Sequence, residues 1–418
     1  MIDEGRKDAM KLVMKFGGTS VGDMARIRHA AAHVKREAEA GCRVAVIVSA
    51  MAGETDRLNA LAQSAGKGRR ERDVVVAAGE QVSAGLMALA LRDMGLQARS
   101  WLGWQIPIRT DDAPADARIG EIDAEEVAAA MDGGEIAVIA GFQGVCPEGR
   151  ITTLGRGGSD ISAVALAAAL DAERCDIYTD VDGVYSTDPN IVPEARKLPR
   201  IAYEEMLEMA SLGAKVLHTR SVGLAMAHRV PLRVRSSFAA PEEDVAGTLI
   251  CEEDDGMESE IVHGIAYTRN EAKITLRGVV DAPGVAARIF GPLAEAGINV
   301  DMIVQNVSDD GRTDVTFTMP SEEEMRALAV IEGARAAIGC RDVQHTPDMA
   351  KISVIGVGMR SHSGVAQTMF RELAEKDINI HVISTSEIKV SVLIDAAAAD
   401  EAVRTLHAAY GLEQAEQD

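Results

Sequence analysis

The sequence predicts an α/β protein: a mostly parallel sheet covered by helices on both faces, followed by two small ferredoxin-like sandwiches. Over the first part of the chain, apolar segments of strand length alternate with helical segments, which is the pattern of a sheet buried on both faces. Beyond residue 250 the composition changes, and one pattern of strands and helices then occurs twice. These two observations define the predicted architecture.

The elements of the first part follow from apolar runs of strand length and from apolar residues at helical spacing. Strands are predicted at residues 11–16, 43–49, 97–102, 136–140, 177–179 and 232–236. Helices are predicted at residues 23–40, 73–94, 124–131, 160–170 and 203–210. Glycines and polar residues follow several of these strands, at the edge where an open parallel sheet binds its ligands.

An acidic run at residues 251–256 separates the two parts of the chain. Charge runs of this kind are typical of a solvated linker. The sequence accordingly predicts a first domain at residues 10–250, a linker at 251–262, and two repeats at 263–345 and 346–418. The repeats begin with matching strands at 273–278 and 351–356, and each continues through a glycine loop into a helix that ends at Ile-Asn. The order strand, helix, strand, strand, helix fits a ferredoxin-like sandwich in each repeat.

Composition argues against several classes of function. The formal net charge of −22 disfavours nucleic acid and anionic membrane surfaces as partners. The five cysteines are scattered without a Cys-x-x-Cys pair, which indicates free thiols in a reducing, cytoplasmic compartment and no zinc site. The start of the chain does not have the pattern of a signal peptide, and the most apolar run, at 161–170, is far shorter than the ~20 residues that span a bilayer.

The turn after the first strand carries a lysine and two glycines. Backbone N–H groups at the start of a helix bind anions, and Gly17 and Gly18 would let the backbone approach a phosphate. Lys15 adds a positive charge, although it precedes the glycines and so does not form a Walker A motif. A glycine turn is also a common plain connection, so the phosphate site depends on the motifs downstream.

A second glycine-rich loop, at residues 152–160, leads into a helix and contains Arg156. Ser159 or Asp160 is expected to cap that helix. A guanidinium in a glycine loop suits bidentate binding of a carboxylate. The sequence therefore favours a ligand-binding loop over a capped helix alone.

Three more positions are candidates for ligand contacts. The turn-rich loop at 181–189 follows a strand and suits a nucleotide base and ribose, with Tyr185 as a packing surface, although an ordinary surface turn has the same composition. Glu80 lies among small residues on an apolar helix, where a carboxylate needs a cation such as a substrate ammonium. The alternative for Glu80 is a solvated helix face. Ser49 closes an apolar strand and is expected to face the ligand.

Six motifs, in the right order, resemble those of aspartate kinases. They are Lys-Phe-Gly-Gly-Thr-Ser-Val at 15–21, Ala-Gly-Glu at 78–80, Gly-Phe-Gln-Gly at 141–144, Thr-Thr-Leu-Gly-Arg-Gly-Gly-Ser-Asp at 152–160, Thr-Asp-Val-Asp-Gly-Val-Tyr at 179–185 and Gly-Ala-Lys-Val-Leu-His at 213–218. The repeats, with Val-Gln-Asn-Val-Ser at 304–308 and Ser-Thr-Ser-Glu at 384–387, look like that family's paired ACT domains. The resemblance extends over nearly the whole chain from residue 11. It implies an amino-acid-kinase-type α/β/α sandwich that phosphorylates the side-chain carboxylate of L-aspartate with ATP.

Carried over position by position, the resemblance implies a role for each motif residue. Lys15 would stabilise the transferring phosphoryl group, and Asp160 would orient Lys15 or bind Mg²⁺ through water; no residue would ligate a metal directly, because Mg²⁺ would arrive with ATP. The ATP and phosphate side would comprise Lys15, Gly17, Gly18, Thr179, Asp180, Tyr185, Asn190 and Lys215. The aspartate side would comprise Ser49, Thr55, Glu80, Arg156 and Ser159, with Arg156 on the α-carboxylate and Glu80 on the α-ammonium. Asn190 stands where the family has an arginine, so one phosphate-side cation is missing.

The resemblance also implies feedback control. In this family the ACT pair binds end-product amino acids, lysine and threonine among them, between two subunits. This implies a homo-oligomer, or a mixed assembly with a shorter chain started inside the gene, and a place at the start of the aspartate-derived pathway to lysine, threonine and methionine. The matching positions are Asp281, Asn299, Val300, Asp301 and Gln305 in the first repeat and Asn379, Ile380, Ser384, Ser386 and Glu387 in the second.

Two alternatives remain at this point. Another acylphosphate-forming kinase of the same superfamily would act on glutamate or N-acetylglutamate, although an N-acetylated substrate offers Glu80 no ammonium. A non-catalytic amino-acid sensor would keep the ACT pair beside an inactive kinase domain. The intact Lys15, Glu80, Arg156 and Asp160 argue against the sensor.

Overall fold

The structure is a computed structural model that describes residues 9–213, 216–243, 245–254, 260–307 and 311–413. The chain forms two compact units. Among the described residues, the first comprises those within 9–184, 197–211 and 216–254, and the second comprises those within 185–196, 212–213 and 260–413. The segment 185–196, which the sequence assigns to the first domain, therefore groups with the C-terminal repeats.

The first unit contains twelve strands and seven helices among its described residues. The strands are β1 (Lys11–Phe16), β2 (Arg43–Val48), β3 (Ala98–Trp101), β4 (Ile108–Thr110), β5 (Ile119–Ile122), β6 (Ile136–Ala140), β7 (Gln143–Val145), β8 (Ile151–Thr153), β9 (Arg174–Thr179), β10 (Arg200–Ala202), β11 (Leu232–Ser236) and β12 (Thr248–Cys251). The helices are α1 (Met24–Glu39), α2 (Glu54–Ala65), α3 (Arg69–Asp93), α4 (Glu125–Asp132), α5 (Gly158–Ala169), α6 (Tyr203–Ser211) and α7 (Thr219–His228).

An eight-stranded sheet forms the centre of this unit, in the order β10-β12-β11-β9-β1-β2-β6-β3. Every neighbouring pair is parallel except β11 and β12. One face of the sheet packs its apolar side chains, such as Leu12, Met14 and Val46, against α1 and α3. Helices α4 and α5 contact the same strands and complete the sandwich. The predicted mostly parallel α/β fold is confirmed.

A second, four-stranded sheet was not expected from the sequence. Its order is β5-β4-β7-β8, and it carries the connection between β8 and α5. Each of these strands has only three or four residues, which is too short for a residue period to distinguish strand from loop. Helices α2 and α7 were also missed.

Helix α3 is the one helix among the described residues that is long and apolar enough to cross a membrane. Within its apolar window, 56% is buried inside the structure. Buried residues such as Met87 and Leu91 pack into the core of the sheet, which is typical of a core helix.

The second unit holds both repeats in one antiparallel sheet. Its strands are β13 (Gly264–Val280), β14 (Asp301–Val307), β15 (Arg312–Pro320), β16 (Asp342–Ile355), β17 (Val382–Thr385) and β18 (Lys389–Asp395). Its helices are α8 (Val285–Glu295), α9 (Glu324–Ile338), α10 (Val365–Glu375) and α11 (Ala399–Ala409). The strand order is β14-β15-β13-β16-β18-β17.

The first strands of the two repeats are parts of two long strands that pair with each other. Residues 264–268 of β13 pair with 351–355 of β16, and residues 273–277 pair with 342–346. Each repeat thus obtains a fourth strand from the long strand of the other, which completes the strand order of a ferredoxin-like sandwich. The two cores remain separate, and a small cluster of Met302, Met349, Val382 and Leu393 joins them.

Candidate active site

The carboxyl ends of five neighbouring strands, β11, β9, β1, β2 and β6, form one continuous edge. Backbone hydrogen bonds continue past the ends of the strands and hold the following loops together: Ser237 N donates to Thr179 O (2.8 Å), Gly17 N to Tyr178 O (3.3 Å), Ser49 N to Phe16 O (3.1 Å) and Gly141 N to Val48 O (3.1 Å). This is the edge at which a parallel sheet places its ligand. The predicted residues Gly17, Ser49 and Thr179 lie on it.

A buried ion pair lies at the centre of this edge. Lys15 Nζ is 2.6 Å from Asp160 Oδ1, and Lys15 is only 8% exposed. Asp160 occupies the first turn of α5, where the helix dipole favours a negative charge. The pair leaves a fixed ammonium beside the glycine turn, in which the Gly17 N–H already donates to Tyr178 O.

Two glycines of that turn allow close approach. A Cβ atom at Gly17 would lie 3.4 Å from Lys15 Nζ, and one at Gly18 would lie 3.0 Å from the carbonyl oxygen of Ala50. The turn itself is a short 3₁₀ segment, Gly18–Val21. A side chain at Gly18 would crowd the loop after β2, and one at Gly17 would contact the lysine.

The start of α5 differs from the sequence prediction. The helix begins at Gly158, and its N-cap is Gly157 in the left-handed conformation (φ 72°). The expectation that Ser159 or Asp160 caps the helix is therefore wrong. Both side chains lie instead in the first turn, where Ser159 is buried and a Cβ atom at Gly141 would lie 3.0 Å from its Oγ.

Glu80 is a buried carboxylate and not a solvated helix face. It is 2% exposed, and its Oε1 accepts a hydrogen bond from Ala50 N at 3.1 Å. Oε2 has no hydrogen-bond partner among the described residues. Burial raises the pKa of Glu80 to about 7. Because Ala50 directly follows Ser49, this carboxylate lies at the same sheet edge.

Arg156 lies in the loop between β8 and α5. Its side chain is exposed and forms no ion pair within 4 Å in the described ranges. Thr55, in the first turn of α2, is half-buried. Both residues remain available to a ligand.

The residues predicted to contact the nucleotide are divided between the two units of the chain. Thr179 Oγ1 donates to Asp180 Oδ1 at 3.1 Å at the end of β9. Tyr185 and Asn190 belong to the second unit, where Tyr185 packs against the hydrophobic core of the second repeat and Asn190 Nδ2 donates to Asp188 Oδ1 at 2.9 Å. Lys215 lies outside the described residues.

Three polar residues near the Arg156 loop were not singled out from the sequence. Asp73 is 2% exposed on α3, Arg220 lies in the first turn of α7, and His218 caps α7 with its Nδ1 accepting from Arg220 N at 3.3 Å. Burial, with the Arg220 charge second, lowers the pKa of His218. An acidic residue at the start of an apolar helix was the available signal for Asp73.

Asp160 and one cluster of side chains in the described ranges offer carboxylate oxygens to a cation. Asp160 lies beside Lys15. Asp112, Cys146 and Glu148 place their ligand atoms within 4.8 Å of one another, and Asp112 is paired with Arg70 as Asp160 is paired with Lys15.

Most of the predicted effector residues lie on the loops after α8 and α10 and on the edge strands β14 and β17. Asp281 directly follows β13, and Ser386 and Glu387 lie in the turn between β17 and β18. Gln305, Asn299, Asn379 and Ser386 are exposed. Asp301 instead contacts the Nζ of Lys351, a buried residue of the other repeat, which is also 3.7 Å from Glu271 Oε1. Although partial burial opposes ionisation, the Lys351 ammonium holds the pKa of Asp301 below its usual value.

Comparison with known proteins bears directly on these motifs. Residues 10–236 match the amino acid kinase family, and residues 274–334 and 352–410 match the ACT domain, which confirms the predicted domain types. The chain is 52% identical over 406 residues to the aspartokinase of Pseudomonas aeruginosa, covering 96% of this chain and 98% of that protein. Among solved structures, E. coli aspartokinase III in complex with aspartate and ADP (R-state) is 28% identical with a TM-score of 0.79, covering 95% of this chain and 99% of that one. The structure of E. coli aspartokinase III with lysine and aspartate (T-state) is 29% identical with a TM-score of 0.75, covering 95% and 98%.

Proposed function

The chain belongs to the aspartate kinase family, and on that premise we propose that it transfers the γ-phosphoryl group of ATP to the side-chain carboxylate of L-aspartate, giving 4-phospho-L-aspartate and ADP. The observation that carries this proposal is the buried Lys15–Asp160 pair at the sheet edge that also holds the Glu80 carboxylate. The complex of E. coli aspartokinase III with aspartate and ADP supports the choice of substrates.

The phosphoryl side needs positioning and charge neutralisation more than covalent chemistry. A carboxylate oxygen of aspartate attacks the γ-phosphorus, a new P–O bond forms, and the bond to the β–γ bridging oxygen breaks as ADP leaves. No proton has to move, because the attacking carboxylate is already ionised. Lys15 would neutralise the transferring group, with the glycine turn at Gly17 and Gly18 beside it, and Asp160 would hold the ammonium in place.

Mg²⁺ fits the donors at this place. The ion is usually held by one or two carboxylates together with substrate phosphates and water, and Asp160 presents a carboxylate beside Lys15. When bound with ATP, Mg²⁺ neutralises the phosphate oxygens. We propose that Asp160 contacts it through water while it orients Lys15.

Two side chains of opposite charge would bind the charged groups of the substrate aspartate. Arg156 would bind the α-carboxylate through its planar fork, and the unpartnered oxygen of Glu80 would accept from the α-ammonium. Ser49, Thr55 and Ser159 would complete this side. Burying Glu80 without a cation is costly, so an ammonium is a better partner than the N-acetyl group of the alternative substrate.

The nucleotide side and the regulatory side are carried over from the family resemblance. Thr179, Asp180, Tyr185, Asn190 and Lys215 would face ATP. Lysine, threonine or both would bind at the edge strands β14 and β17 of a homo-oligomer joined through the ACT domains, and the complex of E. coli aspartokinase III with lysine supports an amino-acid effector. The enzyme would then act in the cytoplasm at the first step towards lysine, threonine and methionine.

A hydroxamate assay tests the reaction. The purified chain is incubated with ATP, Mg²⁺, hydroxylamine and either aspartate, glutamate or N-acetylglutamate, and the acyl hydroxamate is measured. We expect product with aspartate alone, and none from a Lys15→Ala control prepared in parallel. Product with glutamate or N-acetylglutamate would assign the other acylphosphate-forming reaction, and no product with any acid would favour the amino-acid sensor.

A further inference from the structure

We propose that Asp73 and Arg220 are positioning residues that fix the loop carrying Arg156. The inference rests on the proposed role of Arg156 as the clamp for the substrate α-carboxylate. Neither residue needs to touch the substrate. Together their hydrogen bonds link the start of this loop to the segment 111–118.

Asp73 is the first fastening point. It projects from the first turns of α3 and is 2% exposed. Its Oδ2 accepts from Thr153 N and from Ala115 N, both at 3.0 Å, and its Oδ1 accepts from Thr153 Oγ1 at 3.1 Å. One buried carboxylate thus joins the end of β8 to the segment that contains Ala115.

Arg220 is the second fastening point. Its Nη1 donates to Leu154 O at 2.6 Å and to Asp116 Oδ1 at 3.0 Å, and its Nη2 donates to Ala117 O at 2.9 Å. Leu154 stands two residues before Arg156. The planar guanidinium reaches three acceptors at once, which a lysine ammonium on a flexible stem does not reproduce.

The loop and the segment that it contacts pack closely and contain left-handed residues. Gly155 (φ 73°) and Gly157 (φ 72°) are both left-handed. A Cβ atom at Gly155 would lie 3.0 Å from Ala115 O, and one at Gly157 would lie 2.5 Å from the Cβ of His218. Ala115 itself has φ 71°, a conformation that non-glycine residues keep only when their surroundings impose it.

The consequence concerns Arg156. Its side chain forms no ion pair in the described part of the chain, so the backbone beneath it decides where the fork points. A glycine loop without fastening would have to be ordered when the substrate binds, and that ordering weakens binding. Asp73 and Arg220 would remove this cost before aspartate arrives.

Steady-state kinetics of six full-length variants test the inference. We expect Asp73→Ala and Arg220→Lys to raise the KM for aspartate on the order of tenfold, because the fork is misplaced, while the KM for ATP stays within about twofold. Asp73→Asn should restore near-normal kinetics: its amide oxygen accepts both N–H groups and its NH₂ donates to the Thr153 hydroxyl. Arg109→Gln, on the exposed face of the same small sheet, and Glu205→Gln, a buried carboxylate that accepts from Ala202 N, are the matched controls.

The outcomes separate this inference from the proposed function. Arg156→Lys is measured alongside. If it leaves the KM for aspartate unchanged, the carboxylate clamp and the positioning role both fail. If it raises that KM but Arg220→Lys does not, or if Arg220→Lys lowers the melting temperature without changing the ratio of the two KM values, the positioning role alone is overturned. If Asp73→Ala does not fold, the KM for aspartate of Arg220→Lys alone tests the positioning role.

Discussion

Aspartate binding should depend on pH through Glu80. Burial raises the pKa of this carboxyl to about 7, so it is largely protonated at pH 6 and largely ionised at pH 8. Only the ionised form offers a negative charge to the α-ammonium of the substrate. We expect aspartate to bind more weakly as the pH falls through 7.

The magnitude follows from the ionised fraction. With a pKa of about 7, roughly one molecule in ten carries the charge at pH 6, and the apparent Kd scales with the inverse of the competent fraction. The Kd for aspartate should therefore rise about tenfold between pH 8 and pH 6. Binding at pH 6 should also release close to one proton, since the complex ionises Glu80.

The contribution of Glu80 to the stability of the folded chain should change with pH in the direction opposite to aspartate binding. Because the folded pKa lies above the ordinary value of 4.5, ionisation is disfavoured in the folded state, and this group's contribution to stability falls as the pH rises from 4.5 to 7. Glu80→Gln removes the penalty. The free energy of unfolding of the variant minus that of wild type should be larger at pH 8.5 than at pH 5, by about 2.5 kcal/mol. The variant is thus increasingly the more stable of the two as the pH rises.

Isothermal titration calorimetry of aspartate into the full chain, at pH 6 and pH 8 in buffers of different ionisation enthalpy, measures both the Kd and the released proton. Glu80→Gln is the control: its weaker binding should not change across this range. Burial lowers the pKa of His218, and any dependence caused by that residue would persist in the control. A wild-type Kd that is constant from pH 6 to 8, with no proton release, would refute the assignment of Glu80.

Three further predictions concern phosphoryl transfer, effector binding and the sheet of the second unit. Lys15→Ala should lower kcat on the order of 10³-fold with little change in the KM for ATP, because the ammonium acts on the transferring group; unchanged turnover in steady-state assays would contradict this. If lysine or threonine inhibits the enzyme, Gln305→Ala and Ser386→Ala should shift the inhibition curve to higher effector concentration and leave the uninhibited kcat nearly intact, whereas joint loss of activity and inhibition would indicate a folding role. Lys351→Met should lower the free energy of unfolding by about 3 kcal/mol in chemical denaturation, since it leaves buried Glu271 without its cation. The double variant with Glu271→Gln should recover most of that loss, and no recovery would assign the effect to packing.

Features that depend on neighbouring residues could be predicted from the sequence. Strand β1 and the glycine turn after it were found because an apolar run, a lysine and two glycines are contiguous. The two repeats were recognised because their motifs recur in the same order. In each case the local hydrogen bonding and the residue period depend on residues that are close together in the sequence. The family resemblance then implied the role of each residue.

Features that depend on residues far apart in the chain became visible in the folded structure. Asp73 holds the end of β8 because Thr153, eighty positions away in the chain, donates a hydrogen bond to it. A single acidic residue in a helical segment of the sequence does not indicate such a partner. The same holds for the pairing of β13 with β16 and for the burial that raises the pKa of Glu80. Long-range pairing and desolvation are properties of the packed chain, because the free energy of a buried polar group depends on the atoms that surround it and not on its sequence neighbours.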